Sequence, residues 1–159
     1  MDKLWLAPGK LHIEPAAPGD EEALARLHAA SFYRGWPSQD FARFFADKAI
    51  SAYIACDAQR RIAGFALVRL VVDEAELLTI AVEPKWRGKG VGRALMQALL
   101  ADLLMSPARK LFLEVDEQNQ AAVRLYKGLG FVPLAARQGY YARPDGQAAT
   151  ALVMARDLG

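Results

Sequence analysis

Apolar positions along this chain change period repeatedly, and the changes divide it into elements. From Glu21 to Ser31 the residues Ala23, Leu24, Leu27 and Ala30 recur at helical spacing, behind Asp20 as a candidate N-cap. Ser38 caps a second predicted helix whose stripe is Phe41, Phe44, Phe45 and Ala49. After Ile50 the pattern turns β-prone: Ala52 to Cys56 and Ile62 to Val72 flank a polar turn, Asp57 to Arg61, and Glu76 to Val82 completes a meander ended by Pro84. Val91 to Met105 predicts a long helix burying Ala94, Leu95, Ala98, Leu99 and Leu103. Lys110 to Val115 is a short strand, Asn119 to Leu129 a helix stopped by Gly130, and Phe131 to Arg137 and Ala148 to Ala155 the last strands. Residues 1–10 read as a leader, with a first short strand at Leu11 to Glu14. The expectation is one mixed α/β (α+β) domain over residues 11–159.

Composition narrows the function classes. A chain of 159 residues that is 53% hydrophobic builds one continuous core. A net charge of +2 gives no footprint for direct nucleic-acid binding. No run approaches the roughly 20 apolar residues that span a bilayer, and the first twenty residues lack the apolar core of a signal peptide. The single cysteine, Cys56, cannot form an internal disulfide, which favours a reducing, cytoplasmic setting. It lies in an apolar run with no histidine near it in sequence, so it reads as a small buried hydrophobe rather than a nucleophile. No His/Cys group has metal-site spacing, and no metal is expected.

The most informative stretch is Ile80-Ala81-Val82-Glu83-Pro84-Lys85-Trp86-Arg87-Gly88-Lys89-Gly90-Val91-Gly92-Arg93. A strand runs into three alternating glycines and straight into a helix, whose first turn offers unpaired N–H groups and the positive end of a dipole. Arg87, Lys89 and Arg93 add charge suited to a diphosphate. The P-loop ending Gly-Lys-Ser/Thr is missing, and so is Gly-x-Gly-x-x-Gly.

Here the sequence resembles the GNAT family of N-acetyltransferases, whose acetyl-CoA signature the Arg87-x-x-Gly90-x-Gly92 pattern matches. The resemblance implies a mixed, mostly antiparallel central sheet of about seven strands with four helices. It also implies that the Gly88–Gly92 turn, Val91 included, binds the CoA pyrophosphate, while Ile80, Ala81 and Val82 hydrogen-bond the pantetheine arm as if it were an added strand. Glu114 alternates with the apolar residues of its strand, and Tyr126 lies seven residues after Asn119 on one helix face.

A finer resemblance, to ribosomal-protein-alanine N-acetyltransferases, rests on three stretches. They are Asp73 to Val82, Leu113-Glu114-Val115 with Asn119, and Arg137-Gln138-Gly139-Tyr140-Tyr141 before Asp145-Gly146. It implies Glu114 as general base, Tyr126 as the acid that protonates the leaving thiolate, and Asn119 as a cofactor contact besides its local role as N-cap. A backbone N–H near Val82 would meet the oxyanion. Trp36, Tyr140 and Tyr141 are candidates to line the acceptor channel. The acceptor so implied is a protein N-terminus, on a small-subunit ribosomal protein. Two alternatives stay open: a small-molecule amine as acceptor, and a non-catalytic CoA-binding module. Scarce acidic residues near Tyr140 argue against a polyamine, and Glu114 with Tyr126 against the module.

Overall fold

The computed structural model describes the backbone of residues 4–32, 34–142 and 148–159, and the side chains of 4–32, 34–138 and 149–159. The chain opens with strands β1 (Trp5–Leu6) and β2 (His12–Pro15) and helices α1 (Glu21–Ser31) and α2 (Ser38–Ala46). The meander follows as β3 (Ile50–Cys56), β4 (Ile62–Val71) and β5 (Glu74–Val82). A 3-10 turn at Pro84–Trp86 leads to α3 (Val91–Leu104), β6 (Lys110–Asp116), α4 (Gln120–Gly128), β7 (Val132–Ala142) and β8 (Ala148–Asp157). The described strands form one sheet of eight, in the order β1-β2-β3-β4-β5-β6-β8-β7. Its pairs are antiparallel except β5 with β6.

The eighth strand is β1, inside the segment expected to be a leader. Its two residues pair with Ile13 and His12, and the Trp5 ring meets Tyr53 edge-on at 5.9 Å. Pro8 and Gly9 then pack on the turn before α3: a Cβ on Gly9 would come within 2.6 Å of the Trp86 ring. That tight seat makes Trp86 a packing residue.

Helix ends also differ from expectation. Asp20 occupies the N-cap position of α1 but caps nothing there; its Oδ2 accepts from the Ala17 N–H at 2.8 Å, and its carboxylate binds Arg60. Pro37, not Ser38, precedes α2, and the helix ends before Ala49. Asn119 does cap α4, accepting from the Ala122 N–H at 3.2 Å.

Two cores cover the two faces of the sheet. Under α3 lies an aliphatic cluster including Leu95, Leu99, Leu103, Leu111, Leu113 and Val115. Under α1 and α2 lies a smaller one with Leu24, Phe41, Ile54, Phe65 and Leu67. Strand β5 changes allegiance part-way: Ala75 and Leu77 belong to the α3 cluster, whereas Ala81 belongs to the other. The cause is a bulge, for Leu67 pairs with Thr79 and Val68 with Leu77, leaving Leu78 as an extra residue. One added residue turns every later side chain to the opposite face.

Candidate active site

The bulge also marks where the sheet opens. β5 and β6 pair only over Glu74–Glu76 with Lys110–Phe112; beyond that β5 is paired to β4 alone. A bulge adds twist, and here it swings the C-terminal half of β5 away from β6. The Glu83 N–H donates to Ala63 O on the β4 side at 2.8 Å. By alternation the amides of Ala81 also face β4, and those of Ile80 and Val82 face the opening. An extended ligand with amides of its own fits such an edge.

At the end of β5 the Gly88–Gly92 turn starts α3. Gly88 and Gly90 have φ of 73° and 88°, and Gly90 is the left-handed N-cap. A Cβ on Gly88 would meet nothing within 4 Å, so its requirement is the backbone conformation. The N–H groups of the first turn of α3 are left for an anion. Lys89 Nζ lies 5.5 Å over the Trp86 ring, and Arg93 reaches toward Gly128 of α4. Arg87 is also engaged within the protein. Its Nε donates to Val82 O and its Nη2 to Ser31 Oγ, both at 3.1 Å, so it fastens the open end of β5 to the end of α1.

Glu114 and Tyr126 lie on opposite sides of the sheet. In β6, Leu111, Leu113 and Val115 point into the α3 cluster, and Glu114 between them points to the α1/α2 face. It is half-buried, with its Oε1 3.0 Å from Arg137 Nη1. Tyr126 is buried in the α3 cluster, its ring edge-on to Phe131 at 5.7 Å. β6 is no longer paired to β5 beyond Phe112, so Glu114 stands on the strand that borders the opening.

Residues 21–131 match the profile of the acetyltransferase (GNAT) family. The chain belongs to that family. In sequence it is 41% identical over 95 residues to the ribosomal protein bS18-alanine N-acetyltransferase of Escherichia coli K12; that match takes in 60% of this chain and 64% of the relative. The chain thus spans just under two thirds of the length of the curated relatives it first matches. A putative enzyme of the same name from Bacillus subtilis is 29% identical over 77% of this chain and 81% of its own length. In structure, the ribosomal-protein-alanine N-acetyltransferase of E. coli superposes with a TM-score of 0.86, at 30% identity over 94% of both chains. Arabidopsis thaliana NAA60 in complex with acetyl-CoA shares the fold, with a TM-score of 0.83 at 21% identity over 93% of this chain and 98% of its own. The sheet of eight strands and the four helices are thus a GNAT fold.

Other GNAT site residues expected from sequence fall in different places. Trp36 is not a free loop tip: its ring stacks on His28 at 4.3 Å, and its backbone N–H donates to His28 Nδ1 at 3.1 Å. Tyr140 and Tyr141 are backbone members of β7, and their side chains lie outside the described residues, as do Asp145 and Gly146. Cys56 is fully buried, and burial together with the Glu14 carboxylate pushes its thiol up to about 12, far from a nucleophile at neutral pH. Sequence reasoning missed Thr79. Its Oγ1 is buried with no hydrogen-bond partner, on the first residue past the bulge, and it shares the Ala81 face. Only the register of β5 reveals it.

Proposed function

We propose that this chain transfers an acetyl group from acetyl-CoA to the N-terminal α-amine of a protein, with a small-subunit ribosomal protein as the acceptor. The observation that carries the reading is the opening between β5 and β6, with a glycine-started helix at its end and Glu114 and Tyr126 on its two faces. The relatives, named as alanine N-acetyltransferases of ribosomal protein bS18, support the choice of acceptor.

In this reading the first turn of α3 and the Gly88–Gly92 amides hold the pyrophosphate, with Lys89 and Arg93 adding charge and Asn119 a further contact. The edge amides of Ile80 and Val82 align the pantetheine, and Arg87 keeps that edge in place. The acceptor approaches from the α1/α2 face past Trp36, where Glu114 takes the ammonium proton; a reference pKa of about 7.7–8.0 makes this easy near neutrality. The freed nitrogen attacks the thioester carbon, and the Val82 N–H meets the oxyanion. Collapse breaks the C–S bond, Tyr126 gives its proton to the thiolate, and the extra proton on the new amide nitrogen passes back to the tyrosinate through solvent, leaving a neutral amide, free CoA and a restored Tyr126. Arg137, already on the Glu114 carboxylate, competes with the incoming ammonium and is displaced by it.

The experiment is mass spectrometry of purified ribosomal proteins, a library of N-terminal peptides and a panel of small amines, each incubated with the chain and acetyl-CoA. One peptide N-terminus gaining 42 Da, roughly the mass of an acetyl group, is the expected result. Acetylation of small amines alone would replace the acceptor, and no product anywhere would leave a binding module.

A further inference from the structure

His12, Glu14 and Cys56 stand more than forty residues apart in part, yet the sheet brings them together away from the β5–β6 opening. His12 pairs directly with Cys56 across β2 and β3, and Glu14 follows two residues along on the same face. The donor atoms converge: His12 Nε2 is 3.3 Å from Glu14 Oε1, Cys56 Sγ is 3.5 Å from His12 Nε2, and Cys56 Sγ is 3.1 Å from Glu14 Oε1.

Those distances are close to the edges of a coordination shell. Zinc bonds of about 2.3 Å to sulfur, 2.05 Å to nitrogen and 2.1 Å to oxygen, at tetrahedral angles, imply edges of about 3.4 Å (N···O), about 3.5 Å (S···N) and about 3.6 Å (S···O). Only the S···O edge must widen, by about 0.5 Å.

A catalytic relay would look different. There the carboxylate binds one imidazole nitrogen and the thiol the other, whereas here both meet the same Nε2. The charges also suit a divalent cation. Arg60 donates from Nε to Glu14 at 3.0 Å and from Nη1 and Nη2 to Asp20 at 3.0 and 3.2 Å. Glu14 and Asp20 against Arg60 leave one negative charge, and loss of the Cys56 thiol proton on metal binding makes it two. His12 and Glu14 are about a quarter exposed, at 26% and 25%, which gives an ion an entry and water a fourth position.

We propose that His12, Glu14 and Cys56 form a site for one thiolate-preferring divalent cation of the zinc class, separate from the acetyl-transfer site. Sulfur and imidazole donors select zinc or cobalt over magnesium and calcium. Binding replaces the thiol proton with the metal and releases one proton to the buffer. Because β2 and β3 hold the donors, the ion would brace this edge of the sheet to the start of α1 through Arg60 and Asp20.

Titrating the full chain with Co²⁺ tests this. A sulfur-to-cobalt charge-transfer band should saturate at one ion per chain and be bleached by Zn²⁺ but not by Mg²⁺. Cys56 is the one cysteine in the sequence, so a band on the wild-type protein reports on it without any variant. Cys56→Ser should lose the band, and His12→Gln should weaken Co²⁺ binding at least tenfold, with far-ultraviolet circular dichroism showing that both are folded. Absence of a band from the wild-type chain, saturation at half an ion per chain, or unchanged affinity in a folded His12→Gln variant would overturn the proposal.

Discussion

The two faces of this sheet are built from different materials. Under α3 the core is mostly aliphatic, with Tyr126 and Phe131 at one end and, elsewhere in it, Tyr53, whose hydroxyl donates to Asp102 Oδ2 at 2.6 Å. Under α1 and α2 the core is a stack of rings: His28 lies 4.3 Å from both Phe32 and Trp36, and Phe41 meets Phe44 and Phe65 edge-on. The first face holds a long helix with a fixed start, suited to a cofactor that never varies. The second carries two short helices, a buried titratable group and the orphan hydroxyl of Thr79, properties suited to recognising a particular acceptor. The proposed reaction draws on both faces, and the bulge at Leu78 is where β5 passes from one to the other.

The largest break in this comparison should come from Glu114, which points to the α1/α2 face. Glu114→Gln removes the proposed base and leaves the cofactor face untouched. A loss of about 10²- to 10⁴-fold in kcat/KM is expected, steepest at low pH where the amine is protonated, with acetyl-CoA affinity unchanged by calorimetry. A wild-type pH–rate profile would remove Glu114 from the reaction.

A smaller effect comes from His28. Burial lowers its pKa from 6.5 to about 4, so the folded protein keeps it neutral where the unfolded chain protonates it. The stability it contributes is full above about pH 6.5 and is lost as pH falls toward 4, by at most about 3 kcal/mol. Thermal unfolding across that range should show the decline, and His28→Phe should flatten it. An equal slope in the variant would place the acid sensitivity elsewhere.

Much of this organisation was legible in the residues. Alternation along the meander, the leucine and alanine face of α3, and the glycines before it predicted the sheet, the long helix and its sharp start, because each rests on short-range pattern. Three features were not legible. Trp5 and Leu6 are too few to show a period, and tertiary contact with β2 and Tyr53 makes them a strand. The bulge sits in Leu77-Leu78-Thr79-Ile80, an apolar run with no glycine or proline to mark it. His12, Glu14 and Cys56 meet through strand pairing, which spacing along the chain does not encode. Arg87 is a subtler case: its type suited a phosphate contact, but Val82 O and Ser31 Oγ hold its guanidinium.

The smallest effect sharpens the comparison from the cofactor side. Tyr53→Phe keeps the ring that packs against Trp5 and deletes the bond to Asp102, which lies in the last turns of α3, a helix length away from the glycine turn. A hydrogen bond to a charged group contributes about 1.5–3 kcal/mol, and Asp102 is half-buried, so water can replace part of what is lost. Stability should therefore fall by about 1.5 kcal/mol, read from urea unfolding, with the acetyl-CoA dissociation constant and kcat unchanged. If affinity fell as well, the far end of α3 would be coupled to its start, and the cofactor face would be as adaptable as the face it is contrasted with.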